Sequence, residues 1–96
     1  MSEIVQEAVA TLNAKMGGEG FDGVAKFVIT GEGALIIDGT GARAGDDEAD
    51  VTLTASADVF KAILDGDKSP TAAFMTGQLS VDGNMGLALK LSSILS

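Results

Sequence analysis

The chain has 96 residues, 46% of them hydrophobic, with six basic against 14 acidic side chains and a net charge of −8. That length suits one small globular domain over residues 1–96, which would bury roughly 60 to 65% of its unfolded surface. The acidic balance excludes a nucleic-acid partner, which needs clustered lysine and arginine, and the lack of cysteine excludes disulfides, thiol catalysis and thiolate metal sites.

Met1-Ser2-Glu3 has neither the basic region nor the apolar core of a leader, and Ile94-Leu95-Ser96 is not a peroxisomal address, so a cytoplasmic protein is expected. From Ser2 as a cap, Ile4, Val5, Ala8, Val9, Leu12 and Met16 recur at helical spacing. This predicts an amphipathic helix ended by Gly17-Gly18.

Val24–Thr30 and Gly33–Asp38 read as a hairpin about a two-residue Gly31-Glu32 turn, glycine supplying a positive φ at its first position. Ala25, Phe27 and Ile29 share one face of the first strand, and Leu35 and Ile37 share one face of the second. Val28 and Ile36 put apolar groups on the opposite side as well. Both faces are therefore expected to be partly covered, by a helical layer and by a lipid, a partner or ordinary core.

Gly39 to Asp50 is polar and glycine-rich, with room for at most a short edge strand. Its acidic residues Asp46, Asp47, Glu48 and Asp50 lack calcium-loop spacing and read as a solvated loop. Gly39-Thr40-Gly41 lacks the spacing of a phosphate loop and reads as a turn. Val51 and Leu53 alternate with Thr52 and Thr54 as a strand leading into a helix capped by Ser56. Asp58 favours the positive end of that helix, Val59, Phe60, Ile63 and Leu64 form its apolar face, and Gly66 ends it.

Ser69 caps a further short helix with Pro70 in its first turn, and Gly77 stops it. Leu79 and Val81 then alternate with Ser80 and Asp82 as a strand, and Gly83-Asn84 lead into a last helix from Met85. Met85, Leu87, Ala88, Leu89, Leu91, Ile94 and Leu95 cover more than one stripe of that helix. It needs two apolar neighbours: the sheet, and either the first helix, a dimer partner or a ligand.

The residues Pro70, Phe74, Gly77, Leu79, Val81, Gly83, Asn84, Met85, Ala88, Lys90 and Leu91 resemble the closing motif of the sterol carrier protein-2 family, which ends Gly-Asn-Met-x-x-Ala-x-Lys-Leu. The likeness extends through Asp50–Thr54 and the helix holding Asp58 to Gly66. It implies an α+β fold: a five-stranded, mostly antiparallel sheet with one short edge strand, helices packed on one face, and an apolar tunnel enclosed between them. It also implies a non-catalytic lipid-binding and lipid-transfer protein, holding a fatty acid, acyl-CoA, sterol or phospholipid without metal or cofactor and making transient membrane contact. In the motif, Phe74, Met75, Leu79, Met85, Leu89 and Leu91 are the implied tunnel-lining residues. Periodicity adds Phe27, Leu35, Phe60 and Leu64 as lining candidates.

With no histidine, cysteine or tyrosine, the chain lacks the usual groups for acid–base or nucleophilic work near neutral pH, and no enzyme is expected. The competing reading is a protein-interaction or homo-oligomerisation module built on the wide last helix, without lipid. The oligomeric state is not readable from the residues.

Overall fold

Alternating apolar residues on the strands build a sheet with one deeply buried face, and the helices lie against it. The computed structural model describes residues 3–95; Ser2, expected as the first cap, lies outside the described residues. In chain order the elements are α1 (Glu3–Met16), β1 (Ala25–Thr30), β2 (Gly33–Asp38), β3 (Gly41–Ala44), β4 (Val51–Ser56), α2 (Ala57–Leu64), α3 (Pro70–Met75), β5 (Leu79–Gly83) and α4 (Met85–Leu95). The strand order is β3-β2-β1-β4-β5, antiparallel throughout except where β1 lies parallel to β4. This is the α+β fold expected, with four-residue β3 as the short edge strand.

The register puts Leu35, Phe27, Leu53 and Val81 side by side across the sheet, and Ile29, Ala55 and Leu79 in the neighbouring row. These rows face the helices. The Phe27 ring meets Phe60 of α2 with centroids 4.1 Å apart, and Val5, Ala8 and Leu12 of α1 and Leu91 and Leu95 of α4 complete the same buried cluster. Burial of a large apolar side chain stabilises by about 1.5–3 kcal/mol, so this cluster holds the helical layer to the sheet.

The opposite face carries Lys26, Val28, Ile36 and Arg43, and Ile36 is fully buried. Its cover is neither a lipid nor a partner but the chain's own acidic loop, which runs back from β3 to β4 over the helix-free face. Gly45 lies directly over Ile36: a β-carbon there would sit 3.6 Å from Ile36 Cγ1, and its N–H donates to the Ala34 carbonyl at 3.2 Å. Lys26 Nζ to Asp46 at 2.9 Å, Arg43 to Asp47 at 3.7 Å, and the Val24 N–H donating to Asp50 at 3.3 Å hold the loop down. Among the described residues no three acidic side chains gather to hold a metal ion.

Two local details go beyond what the residue pattern predicts. The β1–β2 connection has three residues between the paired Ile29 and Gly33, and the Glu32 N–H donates to the Ile29 carbonyl at 2.9 Å. Gly31, at φ +81°, therefore sits at the second central position of the turn, the place where a type II turn requires a positive φ. Asn13, on the exposed side of α1, also reaches β3. Its amide nitrogen donates to the Ala42 carbonyl at 3.0 Å, and its carbonyl accepts from the Ala42 N–H at 2.9 Å.

Candidate functional site

The helix–strand–helix segment from Ser69 onward builds a groove because each of its turns is fixed locally. The Ser69 hydroxyl accepts from the Ala72 N–H at 2.9 Å and starts α3, with Pro70 in the first turn. Gly77 follows the short helix at φ +79° and releases the chain into β5. At the far end of β5, Gly83 at φ +109° passes so close to β4 that a β-carbon would lie 2.4 Å from the Asp50 carbonyl oxygen; only glycine fits. The Asn84 side chain then accepts from the Leu87 N–H at 3.1 Å, capping α4.

The result is a groove of about 300 Å³ with α3 on one side, α4 on the other and the sheet beneath. Its floor is Leu53, Leu79 and Val81; α3 contributes Pro70, Thr71, Phe74 and Met75; α4 contributes Met85, Ala88, Leu89 and Ser92. Burying large side chains is the usual course in a small domain, yet Phe74 is 44% exposed, Met75 78%, Met85 48% and Leu89 66%. Four large apolar groups thus face one another across an apolar floor, a surface ready to cover a ligand.

The sequence candidates divide into three groups. Phe74, Met75, Leu79, Met85 and Leu89 come together around this groove. Phe27, Leu35 and Leu91 have no exposed surface and pack inside the core behind it. For Leu91 the reason is helical geometry: two residues from Leu89, it points to nearly the opposite side of α4 and joins Ala88 and Leu95 on the buried stripe. Phe60 and Leu64 belong elsewhere, at the floor of a second groove of about 460 Å³ between α1 and α2. Glu7, Asp58, Lys61 and Asp65 ring that second space. The lining candidates leave out Leu53 and Val81, which the register carries to the first groove, and the hydroxyls Thr71 and Ser92; strand alternation shows Leu53 and Val81 to be apolar positions but not what lies above them.

The strongest electrostatic feature lies apart from both grooves, at the β2–β3 turn. The Asp38 carboxylate accepts from the Thr40 hydroxyl at 2.6 Å and from the Thr40 N–H at 2.9 Å, and pairs with Arg43. The Thr40 hydroxyl first, and then the Arg43 guanidinium, lower its pKa to about 2. This arrangement ties down a turn and offers no acid–base chemistry to a ligand. Among the described residues no helix is long and apolar enough to cross a membrane.

Comparison with known proteins covers nearly the whole chain. The model of the family described as the SCP-2 sterol transfer family matches residues 5–96. Hydroxysteroid dehydrogenase-like protein 2 of Xenopus tropicalis is 38% identical over 81 residues, 76% of this chain, and sterol carrier protein 2 of Homo sapiens is 43% identical over 49 residues, 51% of it. The chain spans only 19% and 9% of the lengths of those two relatives. Among solved structures, sterol carrier protein-2 of Aedes aegypti in complex with the C16 fatty acid palmitate superposes with a TM-score of 0.78 at 25% identity, covering 100% of this chain and 97% of that one.

Proposed function

We propose a lipid-binding and lipid-transfer role, proceeding from the premise that this chain belongs to the SCP-2 sterol transfer family. The observation that carries the reading is the groove between α3, β5 and α4, where Phe74, Met75, Met85 and Leu89 stay exposed over an apolar floor. A chain laid between them gains about 0.8 kcal/mol for each methylene removed from water. Methionine suits the task because its unbranched thioether side chain adapts to the shape it covers. Phe74, Met75, Leu79, Met85 and Leu89 are the residues assigned to ligand contact, with Met75 and Leu89 folding over the bound chain to convert the groove into a tunnel.

The free chain does not keep such a tunnel empty. A closed, dry space of this volume would cost about 7 kcal/mol at about 24 cal/mol per Å³, against a total stability of about 5–15 kcal/mol for a typical domain. An open groove avoids that cost, and closure coincides with filling. The apolar lining of the groove suits carriage: the alkyl chain enters by desolvation and leaves when a membrane or another protein offers it equal shelter. The palmitate complex of the mosquito relative supports a small apolar ligand.

Native mass spectrometry of the purified chain, followed by organic extraction, tests this reading. A lipid retained at near one per chain is the expected result. A bare chain that also fails to take up an added fluorescent fatty acid or fatty alcohol refutes it, and a bare dimer points to the interaction module instead.

A further inference from the structure

We propose that the α3–β5–α4 groove selects for an uncharged lipid head: it takes a long-chain alcohol or ester in preference to the carboxylate of the same chain length. The inference rests on the lipid-binding reading and adds to it the chemical class of the head group. Every residue of the groove is uncharged, and its hydrogen-bonding side chains are the hydroxyls of Thr71 on α3 and Ser92 on α4. A carboxylate drawn in with its chain would lose water without gaining a cation, whereas a hydroxyl or ester loses far less and can exchange hydrogen bonds with Thr71 or Ser92.

The placement of the six basic side chains points the same way. Lys26 and Arg43 are engaged with Asp46, Asp38 and Asp47 on the helix-free side of the sheet, and Lys90 reaches Asp22 at 3.2 Å. Lys61 belongs to the rim of the α1–α2 groove, Lys15 lies near the end of α1, and Lys68 precedes α3 outside the groove. The net charge of −8 adds a general repulsion for anionic ligands within about a Debye length of the surface.

The test compares three ligands with one twelve-carbon chain, dodecan-1-ol, methyl dodecanoate and dodecanoate, each displacing an uncharged polarity-sensitive fluorophore from the intact chain at pH 7. The alcohol and ester are expected to bind about tenfold more tightly than the carboxylate. Ser92→Lys places an ammonium beside the groove and should raise the affinity for the carboxylate relative to that for the alcohol about fivefold, the effect of one close charge pair in water. Thr71→Lys, at an exposed position, provides the same reading if Ser92→Lys does not fold. Equal or tighter binding of the carboxylate by the unaltered chain overturns the head-group inference and leaves the lipid-binding reading standing. Unchanged selectivity in a folded lysine variant overturns it as well, because the head is then elsewhere. Failure of all three ligands to displace the fluorophore, or of the fluorophore itself to bind, refutes the lipid-binding reading and the inference with it.

Discussion

The two grooves on the helical side differ in a way that size would misjudge. The one between α1 and α2 is larger, about 460 Å³ against 300 Å³, but its apolar floor of Ala8, Phe60 and Leu64 is already buried and four charged side chains ring it. The one between α3 and α4 is smaller and uncharged, and leaves four large apolar side chains in water. A ligand entering the first space would desolvate charged groups along with apolar surface, while one entering the second covers surface that is almost wholly apolar. Unsatisfied apolar area, more than volume, marks the site.

Substitutions can break that comparison. The largest effect is expected for Phe60→Ala, which removes the partner of Phe27 and should cost about 3–5 kcal/mol of unfolding free energy in urea titration. If the variant instead kept its stability and lost lipid uptake, Phe60 would belong to a ligand site and the assignment of the two grooves would reverse. Met85→Trp should act in the opposite sense. At a half-exposed wall position it should change stability by less than about 1 kcal/mol, yet weaken fluorescent-lipid uptake at least about tenfold, because the indole fills the groove. A loss of about 1–3 kcal/mol would mean that Met85 is tightly packed instead.

The smallest expected effect sharpens the contrast from outside both grooves. Asp38 is held at a pKa of about 2, below its ordinary 3.8, so the folded chain binds fewer protons there than the unfolded chain between those values. Its contribution is fully present above about pH 4 and is lost as pH falls through about 2. Asp38→Asn should flatten that part of the acid-unfolding profile, measured by circular dichroism, without altering lipid uptake at pH 7.

What the sequence made legible was whatever a few neighbouring residues decide. Ser56 and Ser69 cap α2 and α3 as expected, and the Gly-Asn step opens α4, because a cap needs only an oxygen three residues before the N–H it accepts from. The motif from Pro70 to Leu91 brought five candidates to one groove for the same reason. It also put Leu89 and Leu91 together, which an α-helix does not, and Phe27 and Leu35 were assigned by strand alternation, which identifies a buried face without telling what lies above it. The parallel β1–β4 pairing, the Lys26–Asp46 pair that ties down the loop over Ile36, and the Asn13 contact join residues 20 or more positions apart. No local pattern announces them.

The Asn13 contact has a consequence for assembly. A free strand edge offers its main-chain groups as a template for another chain, and natural proteins block such edges. By giving both an acceptor and a donor to Ala42, the Asn13 amide takes the place of the next strand at the outer edge of β3. A sixth strand, whether from a second copy or from a fibril, would first have to peel α1 away, so association of the folded chain on that side must rely on side chains rather than on extension of the sheet.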